Sequence, residues 1–245
     1  MTTKKILPLL IVILFSVACK KKPLSVPVEF KSTTYTTLGP YDSTGKPEYL
    51  LTPRDEISTN MLSYITNTLP ELTDLRTTHP ELLNNPEIGD ITITQPSDVV
   101  VTFVFQHTAL ANAFGFYTYP TNDPPKTADD IKEIVYIFPS CGKGTKLKPG
   151  DKVKIGRFNP GTSIGFVIMQ SAWKPDLKTL DSTVVHFCSN DVLNPEVDPA
   201  LKKHAILMKY PEENKILIGF EDTDRTKKKC DHDFNDIVFY ATITQ

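Results

Sequence analysis

Hydrophobic periodicity changes once along this chain, near residue 90, and the change divides it. Before that point, Ile57, Met61, Leu62, Ile65 and Leu69 recur at spacings of three and four, which predicts one amphipathic helix. Thr52 suits its N-cap, Pro53 its first position and Asp55 its first turn, and Pro70 ends it. A second helical turn is expected around Pro80 to Leu83. The stripe is a core-facing or sheet-covering face.

After residue 90 the period becomes two. Val99 to Phe105, Phe114 to Tyr119, Ile131 to Phe138, Lys152 to Phe158 and Ser163 to Met169 read as strands. So do Thr183 to Phe187, Ala205 to Tyr210, Lys215 to Phe220 and Ile237 to Ile243. Pro149-Gly150-Asp151 and Asn159-Pro160-Gly161 are turn signals between them. Short strands in series with no helix between them predict an all-β fold, an antiparallel β-sandwich or jelly roll with one N-terminal helix packed on it. The expected divisions are a helical lead-in over 51–89 and a β-sandwich domain over 90–245.

The amino-terminal end bears on compartment. Lys4 and Lys5 precede an apolar run from Ile6 to Phe15, and Ser16-Val17-Ala18 supplies small residues before Cys19. That is the layout of a signal peptide over 1–18, too short for a spanning helix. The cysteine after small residues resembles a bacterial lipobox, with Ser16 where Leu is usual, and implies lipid on Cys19. Residues 19–50, rich in Thr, Ser and Pro, read as a tether, although Tyr35, Leu38 and Tyr41 are able to pack. The expected location is the cell envelope, with a membrane as partner through the lipid. Lys20 rather than Asp after the cysteine favours the outer membrane.

Charge excludes one class of partner. The chain carries 27 basic and 29 acidic side chains, and losing 1–18 with Lys4 and Lys5 leaves a formal balance of −4. No concentrated basic face points to nucleic acid.

The chemistry concentrates near the carboxyl end. Glu221 and Asp222 close one strand, and Asp231, Asp233, Asn235 and Asp236 precede the next. Six oxygen-bearing side chains bracket one loop, and calcium takes six to eight oxygen ligands. In extended backbone Asp231, Asp233 and Asn235 would face one way, with Asp236 and His232 opposite. The Asp-x-Asp-x-Asn opening fits half an EF-hand loop, but Asp236 stands where Gly is required and Thr242 where Glu is. The expectation is a structural calcium in a loop of another type. The competing account is an acidic turn neutralised by Arg225, Lys227, Lys228 and Lys229.

Several segments together carry a family resemblance: Asn112 to Tyr119, Lys148 to Asp151, Gly161 to Phe166, Gly219 to Asp222, and Asp231 to Asp236. In that order they resemble the LruC-type domain, an exported bacterial β domain of largely unknown function. The similarity runs from about residue 50 to the end and departs at Phe105 to Leu110. It implies an exported domain, often read as cation-binding, and supplies no catalytic residue.

Other residues suggest less. With Cys19 lipidated, Cys141, Cys188 and Cys230 remain, and one disulfide plus one free thiol is the simplest account of an odd count. Zinc would need short paired ligand spacings that His186, His204 and His232 lack. No nucleophilic serine motif or P-loop appears. The acidic carboxylates serve a hydrolase only in a third-ranked reading. Phe114, Phe116, Tyr117, Tyr119 and Trp173 raise a carbohydrate-binding or adhesin-like alternative, against plain core packing. The favoured expectation is a non-enzymatic binding or interaction module, with an unidentified protein or glycan partner.

Overall fold

The computed structural model describes residues 23–245, so the expected leader over 1–18, Cys19 and Lys20 to Lys22 lie outside it. In chain order its strands are β1 (Thr34–Thr37), β2 (Ile91–Thr92), β3 (Ser97–Gln106), β4 (Ala113–Pro120), β5 (Glu133–Phe138), β6 (Lys152–Phe158) and β7 (Thr162–Met169). They continue with β8 (Trp173–Lys174), β9 (Thr179–Leu180), β10 (His186–Cys188), β11 (Ala205–Tyr210), β12 (Lys215–Phe220) and β13 (Ile237–Thr244). Helices α1 (Thr59–Thr68), α2 (Leu75–Thr78) and α3 (Pro80–Asn84) precede β2.

Two sheets make the sandwich. One has the order β1-β5-β4-β7-β10 with β2 on β7, and the other β11-β12-β13-β3-β6. Alternation sorts their side chains. On β13, Ile237, Phe239 and Ala241 enter the central core, whereas Val238 and Tyr240 lie in the layer beneath α1. Phe114 of β4 stacks on Phe239 across the core at 3.9 Å between ring centroids and 8° between planes. Burying one such ring is worth roughly 1.5–3 kcal/mol. The aromatic run Phe114, Phe116 and Tyr117 is therefore core, and Trp173 is also buried, edge-on to Tyr41 at 5.8 Å.

The helix is shorter than its sequence pattern. Ser58, not Thr52, caps α1 by accepting from the Met61 amide at 3.1 Å. Residues 51–55 run past the start of β6 and the turn before it instead, where Leu51 N donates to Lys152 O and Asp55 N to Gly150 O, both at 2.9 Å. Those bonds satisfy backbone groups that a helix would otherwise use. Met61, Ile65 and Leu69 pack on Leu217, Val238 and Tyr240, covering the outer face of the five-stranded sheet, while Leu62 faces out. The turn expected at Pro80 is α3.

The stretch expected to be a tether is largely structure. Thr34–Thr37 pairs in parallel with β5, an exception to the antiparallel pattern. Phe30 and Tyr35 cover the outer face of the six-stranded sheet, Phe30 stacking on His186 at 4.6 Å and Tyr35 Oη meeting His186 Nε2 at 2.9 Å. An apolar sheet face needs such a cover. The strand expected over Thr183 to Phe187 is confined to His186–Cys188, because Asp181 Oδ1 accepts from both N and Oγ1 of Thr183 and turns the chain. Likewise β5 starts at Glu133, after a turn at Ala128–Asp130. No described helix is long and apolar enough to cross a membrane.

Asp55 links the lead-in to the sheet. Its carboxylate accepts from Lys152 Nζ at 2.5 Å, Tyr240 Oη at 2.7 Å and Thr102 Oγ1 at 3.2 Å. Burial pushes its pKa up, but Lys152, Tyr240 and Thr102 outweigh that and hold it below the ordinary value. A carboxyl lowered on folding stabilises above its unfolded pKa of about 3.9, and the contribution disappears as pH falls through the folded value. We expect Asp55→Asn to cost about 1–3 kcal/mol at pH 7 in urea unfolding. The deficit should shrink below about pH 4; a deficit unchanged down to pH 2 contradicts the assignment.

Candidate metal centre

The strands β12 and β13 are neighbours in the middle of their sheet, and residues 221–236 join them at one end of the sandwich. Because both faces of this pair are covered, the connecting loop is drawn inward. Glu221 and Asp222 are each 1% exposed, and Asp233 is 2% exposed. Asp231 and Asp236 are half-buried.

The segment 231–236 is not extended. His232 and Phe234 take left-handed backbone at φ 62° and φ 59°, a strain of about 1–3 kcal/mol each for residues with a side chain. Burial of the Phe234 ring beside Leu69 helps to hold it. The twist corrects the alternating geometry read from the sequence. Asp236 does not face away: its Oδ2 accepts from the Asp222 amide at 2.8 Å and it belongs to the cluster.

The carboxylates form two triads. One oxygen each from Glu221, Asp231 and Asp233 lie within 4.8 Å of one another, and so do oxygens of Glu221, Asp222 and Asp236. Glu221 is common to both, and its Oε2 is buried without a hydrogen-bond partner. Asn235 acts as a brace: its Nδ2 donates to Leu69 O at 2.9 Å and its Oδ1 meets His107 Nδ1 at 3.2 Å.

The basic residues of the loop form no ion pair with these groups. Among the described residues, none of Glu221, Asp222, Asp231, Asp233 or Asp236 forms an ion pair. Lys227 lies 3.7 Å from Asp224 instead. Arg225 is buried, donating from Nη1 to Lys203 O at 2.9 Å and from Nε to His232 Nδ1 at 3.1 Å. Its guanidinium stands 5.0 Å over the Phe234 ring, so it pins the loop backbone from behind.

Electrostatics follow the packing. Burial raises the Glu221 carboxyl, and the neighbouring Asp231, Asp222 and Asp233 raise it further. Burial raises Asp236, and Asp222 and Glu221 add to it. Asp222 is also raised by burial, against the opposing bonds of Thr108 and Asn112. Asp233 is pushed up to about 6 by burial, partly offset by the amides of Asn235 and Leu72. Without a cation such a set carries protons near neutrality; a divalent ion would displace them.

The supporting residues come from distant segments. Asp222 Oδ2 accepts from Thr108 Oγ1 and Asn112 Nδ2, both from the β3–β4 connection, and Gln170 Nε2 donates to Asp222 O at 2.7 Å. Asp233 Oδ2 accepts from the Leu72 amide at 2.8 Å. His204, fully buried, bonds Glu221 O through Nδ1 and Glu196 Oε1 through Nε2, each at 2.9 Å. The sequence reading overlooked Thr108, Gln170, Leu72 and Glu196, which carry no motif of their own.

The three described cysteines are separate from one another. Cys141, Cys188 and Cys230 are buried free thiols, so the expected disulfide is absent. They lie apart: Cys141 in the central core, Cys188 on the outer side of the six-stranded sheet, Cys230 in the loop beside His232. Burial pushes all three thiols up, away from the thiolate that zinc requires.

Gly219 sets the approach of the loop to the sheet. A Cβ there would stand 2.5 Å from the Phe234 carbonyl oxygen and 2.7 Å from Leu69 Cδ1. We expect Gly219→Ala to destabilise the fold by about 1–3 kcal/mol. It should also increase amide hydrogen exchange across 231–236; unchanged protection there would show that the contact does not hold the loop.

A family model described as a domain of unknown function (DUF4114) matches residues 158–244, from the end of β6 through β13 and the acidic loop. Comparison with curated proteins and with solved structures finds no match.

Proposed function

We propose that this chain is a calcium-binding β-sandwich of the cell envelope, held to a membrane by lipid on Cys19 and acting as a binding or interaction module. The observation that carries the calcium reading is the buried, unpartnered Oε2 of Glu221 among four further carboxylates that no Lys or Arg pairs with. An all-oxygen donor set favours a hard cation over zinc or copper. Calcium accommodates irregular, carboxylate-rich shells, whereas magnesium demands near-octahedral geometry and keeps several waters.

The same geometry speaks against the hydrolase. Glycosidase carboxyl pairs stand about 5–9.5 Å apart, flanking a sugar. Here the oxygens within each triad crowd within 4.8 Å, and Glu221 and Asp222 are 1% exposed. The glycan reading loses its aromatic platform with Trp173 buried.

The ion's work would be to order the loop and the face that the loop supports. Gln170, whose side chain holds the Asp222 carbonyl, also lines a cleft of about 790 Å³ with Phe30, Tyr35, His186 and Asp224. Ser25 Oγ donates to Asp224 Oδ2 at 2.9 Å on the rim of that cleft. A partner seated there would meet a surface whose shape depends on the ion. Export and anchoring rest on the Lys4-to-Cys19 pattern, and the resemblance to LruC-type domains agrees with them.

A ligand that binds only the folded state stabilises it by about 2.7 kcal/mol at a hundred times its Kd. For a chain of this size that is roughly 5–10 °C in Tm. We expect chelated full-length protein to gain that much with calcium and less with magnesium, and Asp231→Ala and Asp233→Ala to lose the gain. Folded, metal-free protein whose Tm ignores both ions would remove calcium from the reading.

A further inference from the structure

Building on that calcium reading, we propose that the acidic loop holds two cations side by side, bridged by Glu221, rather than one. Two ligand atoms on the same calcium ion, at 2.3–2.6 Å each, stand no more than about 5 Å apart. The oxygens of Glu221, Asp231 and Asp233 meet that limit among themselves, as do those of Glu221, Asp222 and Asp236. The five carboxylates do not merge into one such group; they meet only at Glu221. They therefore describe two adjoining positions with a shared ligand.

Glu221 is built for bridging. It is 1% exposed, its Oε2 has no hydrogen-bond partner, and its main chain is fixed on both sides by His204. A carboxylate with a free buried oxygen between two triads serves one ion with each oxygen. Charge agrees: one divalent ion among five carboxylates leaves three that must stay either charged or protonated in a buried site, and two ions leave one. No Lys or Arg forms an ion pair with the five: Lys227 lies against Asp224, and Arg225, near enough for Glu221 to favour its charge, bonds to backbone carbonyls and His232. An uncompensated buried charge is costly.

The two positions would fasten different layers. Asp222 is hydrogen-bonded to Thr108 and Asn112, so the position it serves joins the loop to the connection between β3 and β4, and hence one sheet to the other. Asp233 holds the Leu72 amide, so its position joins the loop to the helical layer after α1.

The test is calcium stoichiometry on chelated full-length protein, by isothermal titration and by equilibrium dialysis with radioactive calcium. Two ions per chain are expected. Asp231→Asn, altering a half-buried side chain, should leave one, and Asp222→Asn should leave the other. Proteolytic protection of the helical layer should depend on calcium in Asp222→Asn and lose that dependence in Asp231→Asn. One ion per folded wild-type chain overturns the pair while leaving the single calcium site standing; none overturns both. Two ions retained in Asp231→Asn also overturns the pair as drawn. Should either variant fail to fold, the wild-type count decides alone.

Discussion

The central constraint is that β12 and β13 are apolar on both faces. Ile218, Phe220, Ile237 and Phe239 fill the space between the sheets, and Leu217, Val238 and Tyr240 lie beneath α1. A strand pair enclosed this way cannot release its connecting loop to solvent at the point where the strands end. The first residues after Phe220 and the last before Ile237 must still lie inside, and they are Glu221, Asp222, Asn235 and Asp236. Buried backbone and carboxylates then need partners from other layers, which explains why Thr108, Asn112, Gln170, His204 and Leu72 converge there. The fold produces the charged cluster as a consequence of enclosing its most apolar hairpin.

The period-two stretches were legible because a strand with one face in the core records that face in its sequence. This is why Val99 to Phe105, Lys152 to Phe158 and Ile237 to Ile243 appear in the structure with their ends shifted by a few residues. The helix was legible for the same reason, through Met61, Ile65 and Leu69. Its start was not, because Leu51 and Asp55 bond to the start of β6 and the turn before it, and a single sequence does not display a tertiary hydrogen bond. The parallel strand Thr34–Thr37 escaped for a related reason: its side chains are largely exposed or half-buried, so no alternation marks it.

In the acidic loop the residue types were legible and the geometry was not. Carboxylate spacing identified Glu221, Asp222, Asp231, Asp233 and Asp236, all of which the fold brings together. The alternation rule failed at Asp236 because His232 and Phe234 leave extended backbone, and neither is a glycine that would advertise a left-handed turn. Arg225 looked like the natural counter-ion, yet it is committed to carbonyls and to His232. Sequence proximity of opposite charges says nothing about whether they meet once a loop folds around a buried ring.

Such a loop has two ways of existing. In one, raised carboxyls keep protons, share them, and leave the ion-free loop held by hydrogen bonds such as Asp222 N to Asp236 Oδ2. In the other, the one proposed above, cations would replace the protons and each carboxylate would become a fixed spoke. The difference matters beyond the loop. Asp222 reaches the β3–β4 connection and Gln170, Asp233 reaches the turn after α1, and Asp224 reaches the first described residues at Ser25. The layers meet at this end of the sandwich, so on the cation reading proposed above the occupancy of a few cubic ångströms would govern how firmly the helical layer, both sheets and the amino-terminal segment hold one another.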